Sequence, residues 1–183
     1  WVEEAQRRGL SNLKSTVDAL PAFISKKSIA LFSKFGVLSE TEIHSRYEIV
    51  LENYCKTINI EALTMTDMVR KQILPALSTF SGMLARSAQD KLVLVPSLSL
   101  SYEKSTVTSL SRLADSLGSA VTELEKRVVD ARMVGEVLQT SRYYHDQVLP
   151  AMAEVRSISD SAELLMGESY YPIPTYEQLL YSV

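Results

Sequence analysis

The chain has 183 residues, a net charge of −3 and 46% hydrophobic residues, which is typical of one globular domain. The weak negative charge gives no general argument for binding nucleic acid or an anionic membrane, and the longest apolar runs are too short to cross a bilayer. Cys55 is the single cysteine, so an internal disulfide is excluded and a reducing compartment is favoured.

The charge is unevenly distributed along the chain. Residues 1–34 carry six basic and three acidic residues, whereas residues 151–183 carry one basic and five acidic residues. Two solvated faces are the simpler interpretation of this pattern. The alternative is that the two ends meet, either within one subunit or between subunits.

The N-terminal residues predict a short helix that is ended by Gly9, because glycine readily adopts the left-handed conformation that closes a helix. Serine, asparagine, aspartate and proline interrupt any period over residues 10–24, so this segment is expected to be irregular. The chain begins at Trp1 inside the predicted helix, which suggests a piece of a longer protein.

Two further helices have clear start signals. Ser25 is the predicted N-cap of a short helix that runs to about Phe35 and is stopped by Gly36. Ser39 and Glu42 have the spacing of a capping box and begin the longest helical segment, which extends at least to Leu84. The apolar positions that follow at helical spacing are Ile43, Tyr47, Val50, Tyr54, Ile58, Ala62, Met65 and Val69.

Pro75 lies inside the first long helical segment and Pro150 inside the last one, and each predicts a kink, because proline lacks an amide donor and crowds the preceding turn. The hexapeptides around them, 72–77 (QILPAL) and 147–152 (QVLPAM), resemble each other. A duplicated helical hairpin is one explanation. Chance, or a common way of packing a bent helix, is the simpler one.

Residues 92–101 alternate like a strand, but Pro96 and the lack of a partner strand favour an ordered connection. A helix is predicted from about Tyr102, with a possible break at Gly135, and a further one that ends at Gly167. The first heptad seam is Leu110, Ala114, Leu117, Val121, Leu124, Val128 and Ala131. The second is Tyr144, Val148, Ala151, Val155, Ile158, Ala162 and Leu165.

Residues 168–183 form an aromatic tail that predicts an extended segment, and Thr175 is the predicted cap of a last short helical turn. Its aromatic and proline residues are Tyr170, Tyr171, Pro172, Pro174 and Tyr176. So much apolar surface is expected to pack on the bundle or on another subunit.

No pattern of residues predicts catalysis, cofactor binding or a metal site. His44 and His145 lack partners at zinc-ligand spacing, and Cys55 lacks a nearby base, so all three are interpreted as structural or surface residues. No glycine-rich phosphate loop is present. The carboxylates Glu48, Glu52, Glu61 and Asp67 have basic neighbours and predict a salt-bridged surface, with a metal or acid–base role as the weaker alternative.

Several segments in order resemble type III glutamine synthetases, the large bacterial form of that enzyme. The most distinctive is SRYEIVLENYCKTINIEALTM at Ser45–Met65. The others are RRGLSNL (Arg7–Leu13), TVDALPAF (Thr16–Phe23), SKKSIALFSKFGV (Ser25–Val37), PIPTY (172–176) and LLYSV (179–183). Tyr171 stands where the family pattern has tryptophan, which puts the packing of the tail in doubt.

The resemblance implies a parent enzyme that joins ammonia to glutamate through a γ-glutamyl phosphate, using ATP and Mg or Mn. It also implies a cytoplasmic dodecamer, in which the partners of this chain are its own catalytic domain and neighbouring subunits. The metal-binding and phosphate-contacting motifs of the catalytic domain do not occur here, so no catalytic, cofactor-binding or metal residue is transferred. Neither nucleic acid nor membrane is an expected partner.

The expected fold is therefore all-α: a bundle of long antiparallel, proline-kinked helices with a short extended C-terminal tail. Residues 1–24 are expected to be the end of a catalytic-domain helix and an irregular linker, 25–167 the helical bundle, and 168–183 the tail. The expected function is that of a non-catalytic C-terminal domain with a role in structure and oligomer assembly. The alternative is a free-standing helical module that binds protein partners.

Overall fold

The computed structural model describes residues 1–181, except for the side chains of residues 176 and 177. Ser182 and Val183 of the predicted tail, and the side chain of Tyr176, lie outside the described residues. The helices are α1 (Val2–Arg7), α2 (Thr16–Phe23), α3 (Lys26–Lys34), α4 (Glu40–Met68), α5 (Leu74–Leu94), α6 (Ser101–Ala131), α7 (Val137–Tyr143), α8 (Leu149–Glu163) and α9 (Tyr176–Tyr181). No strand occurs in the described part, and the all-α prediction is confirmed.

The chain forms two compact units. Unit 1 contains Trp1–Ile60 and Asp130–Gln147, and unit 2 contains Glu61–Val129 and Val148–Val183. The unit boundaries fall within α4, near the end of α6 and before α8. Each unit therefore has its own set of internal contacts.

The predicted capping signals are confirmed in unit 1. The Ser39 amide donates to the Glu42 carboxylate at 2.7 Å, while the Glu42 amide donates to Ser39 Oγ at 3.3 Å. The hydrogen bond from the Ser39 amide also lowers the pKa of Glu42. Ser25 caps α3 by accepting from the Ser28 amide, and Gly36 ends this segment with a positive φ of 64° that a side chain would disfavour.

The prediction that residues 10–24 are irregular is wrong for Thr16–Phe23, which form α2. Ser15 caps this helix by accepting from the Asp18 amide, and Val17 is buried. Pro21 was interpreted as an interruption, but α2 is short and continues past it. Capping and burial therefore outweigh the low helix propensity of proline here.

Unit 2 contains an antiparallel pair of helices, α5 and α6. Arg70, just before α5, pairs with Glu125 near the end of α6, and Lys91 near the end of α5 pairs with Glu103 at the start of α6. The positions of these two ion pairs show that the helices run antiparallel. The core contributed by α6 consists of the fully or almost fully buried residues Leu110, Leu117, Val121, Leu124 and Val128, which confirms the predicted seam.

Each long-helix proline follows a five-residue π-helical turn. The turns are Val69–Ile73, before Pro75, and Tyr144–Val148, before Pro150. A π-turn shifts the backbone hydrogen bonds by one residue, and such a turn accommodates a proline that cannot donate to the preceding carbonyls. The two similar hexapeptides thus share the same local backbone, which supports the interpretation as a common packing solution.

The π-turns also explain the spacing of buried residues. Buried residues follow one another at intervals of four in both turns. They are Val69, Ile73 and Leu77 at the first turn, and Tyr144 and Val148 at the second. In a regular α-helix, repeated steps of four residues rotate gradually around the axis. A wider π-turn contains more residues per turn, so it keeps these positions on one face.

Three predicted positions are wrong by one to three residues. Val50 is exposed, and Leu51 is buried in its place. Leu165 is partly exposed because α8 ends at Glu163, so the heptad spacing no longer applies, and Met166 is buried instead. The connection predicted at 92–101 covers only residues 95–100, since α5 continues to Leu94 and Ser101 begins α6.

The described part of the tail packs on unit 2 of the same chain. The ring of Tyr170, in the 3₁₀ turn Glu168–Tyr170, lies 4.9 Å from the ring of Phe80 in α5. Tyr171 is buried, and its hydroxyl donates to the carbonyl of Ser159 in α8 at 3.4 Å. Thr175 caps α9 as predicted, because the Gln178 amide donates to its Oγ1.

Candidate functional site

All four carboxylates considered for acid–base or metal chemistry are exposed, namely Glu48, Glu52, Glu61 and Asp67, and two of them form surface ion pairs. Glu52 pairs with Lys56 at 3.0 Å, and Asp67 pairs with Lys71, both one helical turn apart. Within residues 1–181 as described, no group of three or more histidine, cysteine, aspartate or glutamate side chains could hold a metal ion. The arrangement of these carboxylates is that of a solvated helix surface.

The two histidines lie at separate surface positions. His44 is exposed on α4. His145 is partly exposed in the second π-turn, and its Nδ1 lies 2.7 Å from Oδ1 of the neighbouring Asp146. A histidine beside one exposed carboxylate resembles part of a catalytic pair, but no nucleophile lies against His145 in the hydrogen bonds described.

Cys55 takes part in a polar contact inside unit 1. Its Sγ lies 3.1 Å from Oγ of Ser141, which is fully buried and donates to the carbonyl of Val137 at 2.8 Å. Burial raises the pKa of the Cys55 thiol, which disfavours the nucleophilic thiolate. Nearby, the hydroxyl of Tyr144 donates to Oδ1 of Asn59 at 3.2 Å. These contacts join α4 to the α7 region and have a structural role.

One bidentate ion pair connects helices of unit 2. Arg70 donates to both carboxylate oxygens of Glu125, at 3.1 and 2.7 Å, and also to Oγ1 of Thr122 at 2.9 Å. The hydrogen bond with Arg70 lowers the pKa of Glu125. Sequence spacing alone does not reveal this pair, because its members are 55 residues apart.

The described surface of each unit also carries exposed apolar areas. In unit 1, a shallow groove of about 610 Å³ between α2 and α4 is lined by Leu20, Phe23, Glu42, Ser45, Arg46, Ile49 and Val50. In unit 2, the last residues of α5 and the connection after it expose the large apolar side chains Val93, Leu94, Val95 and Leu98. In α9, Leu179, Leu180 and Tyr181 are exposed. Such patches are typical of protein contact surfaces.

Helix α3 presents a surface that is both basic and apolar. Ser28, Ile29 and Phe32 face inwards, and Phe32 contacts the ring of Phe23 at 5.7 Å. The opposite surface, called the basic face below, consists of Lys26, Lys27, Leu31, Lys34 and Phe35, all of them exposed. The signal that could have found it is the absence of acidic residues over 19–39, which contain three lysines.

Of the helices in residues 1–181, none combines the length and the apolar character that crossing a membrane requires.

The comparisons with known proteins agree on one family. Residues 1–91 match the family model described as the glutamine synthetase C-terminal domain. The whole chain is 40% identical to a stretch of glutamine synthetase from Butyrivibrio fibrisolvens, of which it covers 26%. It is 32% identical to type-3 glutamine synthetase from Dictyostelium discoideum, over 99% of this chain and 25% of the relative. Glutamine synthetase from Bacteroides fragilis is 27% identical over the full chain and 26% of its own length.

These relatives include one from outside the bacteria, so the resemblance to a bacterial enzyme form was drawn too narrowly. The chain spans about a quarter of the length of each curated relative that it matches. The part it matches is the C-terminal part of those proteins. The resemblance carried by Ser45–Met65 and the accompanying segments is therefore confirmed, and this chain belongs to the family of glutamine synthetase C-terminal domains.

Proposed function

We propose that this chain is the structural C-terminal domain of a type III glutamate–ammonia ligase. The observation that carries the proposal is the match along the whole chain to the C-terminal quarter of glutamine synthetases. In this role the helical units brace the parent's catalytic domain and supply surface for contacts with neighbouring subunits. The exposed apolar patches of the α5–α6 connection and of α9 support the second part of the role.

The chemistry of the proposed parent is ATP-dependent ligation of ammonia to glutamate through a γ-glutamyl phosphate, with Mg or Mn. We assign the nucleotide, the metal and the catalytic residues to the parent's upstream part and none of them to this chain. The proposed location is the cytoplasm, and the proposed assembly is a dodecamer. Within this proposal, residues 1–24 connect to the catalytic domain, 25–167 form the bundle, and 168–183 form the tail.

Two experiments separate the catalytic and the structural parts of the proposal. The purified 183-residue chain is expected to form no glutamine from glutamate, ammonia and ATP, and ATP-dependent product formation would contradict the non-catalytic assignment. In the parent enzyme, deletion of the region equivalent to residues 39–183 is expected to abolish assembly, as measured by light scattering after gel filtration. A deletion variant with unchanged assembly and activity would contradict the structural role.

The alternative, a free-standing interaction module, differs in the upstream reading frame. A frame that continues into a catalytic domain excludes the free-standing module. A stop codon directly upstream of residue 1, followed by a start codon, would favour it.

A further inference from the structure

Two segments of the chain carry opposite charge. Residues 19–39 contain three lysines and no acidic residue, while residues 157–183 contain four acidic residues and no lysine or arginine. The first segment includes α3 in unit 1, and the second includes the end of α8, the 3₁₀ turn and α9 in unit 2. Asp160 is paired with Arg156, which lies directly before the second segment, so the carboxylates relevant to a partner are Glu163 and Glu168.

The lysines of the basic face have no carboxylate partner in the described part of the chain. No ion pair of Lys26 or Lys27 occurs there, and the Lys34 ammonium lies 5.8 Å from the centre of the Phe35 ring. Lys26 and Lys27 also occupy the first turn of α3, where the positive end of the helix dipole disfavours a cation. The interaction of these two lysines with the helix dipole therefore does not stabilise α3. Binding of an external anionic partner would explain why they occupy these positions.

The apolar members of the basic face lie beside these charges. Lys27, Leu31 and Phe35 are four residues apart and form one ridge, and Lys26 and Lys34 belong to the adjacent ridge. Leu31 is 54% exposed and Phe35 is 68% exposed. A partner that fits this face must carry both carboxylates and apolar side chains.

The C-terminal part of unit 2 has this combination, and we define its acidic face as Glu163, Leu164, Glu168, Leu179 and Leu180. Leu164 is 87% exposed, and neither glutamate forms an ion pair in the described residues. The side-chain Nε2 of Gln178 in α9 donates to the Glu168 carboxylate at 2.7 Å. This hydrogen bond holds α9 beside the 3₁₀ turn, so its exposed leucines lie close to an acidic group.

We propose that the basic face of one copy of this chain binds the acidic face of a second copy. Complementary charge selects the partner. The contact also needs apolar area, which is provided by Leu31, Phe35, Leu164 and Leu179. Because the contact joins different surfaces of the two copies, it either closes as a two-fold dimer, in which each copy supplies both surfaces, or propagates into a ring or a filament. The inference rests on the proposed assembly role and names the surfaces that would carry it.

An anionic membrane is the competing partner for a basic amphipathic helix, and the observations favour protein. Electrostatic recruitment to acidic lipid typically needs a cluster of about four to eight basic residues, whereas the basic face has three lysines on a helix of nine residues. The same chain also supplies a complementary surface. Membrane binding is therefore treated as an outcome of the test.

The test measures self-association of the 183-residue chain by sedimentation equilibrium at about 0.1 M and about 1 M salt, between which electrostatic screening becomes much stronger. The wild type is expected to associate, and more weakly at high salt. The triple variant K26E/K27E/K34E is expected to associate about tenfold more weakly or worse. The matched control K104E/R112E/K126E reverses three exposed basic residues of α6 and is expected to associate like the wild type.

A charge-exchange experiment makes the assignment specific. E163K/E168K is expected to lose self-association, but an equimolar mixture of it with K26E/K27E/K34E is expected to recover association. Circular dichroism confirms that each variant is helical. A monomeric wild type at low salt, an association unaffected by the α3 variant, or a mixture that does not recover would each overturn the proposal.

Binding of the wild type to vesicles of phosphatidylserine and phosphatidylcholine, lost in the α3 variant and without self-association, would overturn it in favour of the membrane. None of these outcomes depends on the deletion experiment in the parent enzyme. A failure of the proposed contact is therefore distinguishable from a failure of the proposed function.

Discussion

Truncation of the α6 core offers the sharpest check on how unit 2 is held together. Leu117 and Leu124 are both fully buried. Replacing either one with alanine removes three carbon atoms from the core, and at about 0.8 kcal/mol for each the lost transfer free energy is about 2.4 kcal/mol. The cavity left behind adds to this loss, so the free energy of unfolding is expected to fall by about 3–5 kcal/mol.

The assay is urea denaturation followed by far-ultraviolet circular dichroism, together with a thermal scan. For a chain of this size, a loss of about 3 kcal/mol corresponds to a decrease in Tm of roughly 6–12 °C. The matched control is Val129→Ala, because Val129 lies in the same helix and is 57% exposed. The control is expected to change the free energy of unfolding by about 0.5 kcal/mol or less. If Leu117→Ala and Val129→Ala differ by less than about 1 kcal/mol, the assigned core is wrong.

Four further outcomes test individual contacts. Pro75→Ala is expected to change the free energy of unfolding, measured by urea denaturation, by less than about 1 kcal/mol, because the π-turn already accommodates the proline. An increase in the free energy of unfolding near 3 kcal/mol would contradict this and indicate a strained helix. A double-mutant cycle on Arg70 and Glu125, both partly exposed, is expected to give a coupling of about 1 kcal/mol or less. This coupling should be present above the ordinary pKa of glutamate and be lost as the pH falls through the lowered pKa of Glu125. Burial raises the pKa of Tyr171 to about 12. The contribution of Tyr171 to the free energy of unfolding should therefore be complete below about pH 10 and be lost as the pH rises towards 12. Tyr171→Phe should remove this pH dependence from unfolding curves measured in alkaline solution. Cys55 should react with a maleimide at least about tenfold more slowly in the folded chain than in urea, because burial raises its pKa; equal rates would contradict its burial.

The sequence predicted those features that depend on residues close together in the chain. The capping box of Ser39 and Glu42 uses two side chains one turn apart, and the seam around Leu117 repeats within one helix, so both could be found from spacing. The bidentate pair of Arg70 and Glu125 could not be found, because its formation depends on the antiparallel packing of two helices.

The errors also have local physical causes. Heptad spacing predicts Leu165 in the core, but α8 ends at Glu163 and Met166 is buried instead. Pro21 indicates an interruption, whereas the Ser15 cap indicates the start of a helix, and the structure follows the cap. The basic face of α3 does not follow from helical periodicity, because the periodicity of apolar residues predicts only the buried side of a helix.

The π-helical turns have a consequence for how this family tolerates changes in length. A π-turn is equivalent to one extra residue inside an α-helix, so everything after it is rotated by one residue relative to everything before it. Deleting one residue within Val69–Ile73 would restore a regular helix but move Leu77 and Phe80 away from the face that contains Ala62. Single-residue gaps between homologous chains are therefore expected at these turns only when the buried positions on one side shift in compensation. In unit 2, the rotation that the Val69–Ile73 turn introduces therefore matters to the core as much as the identity of the buried residues.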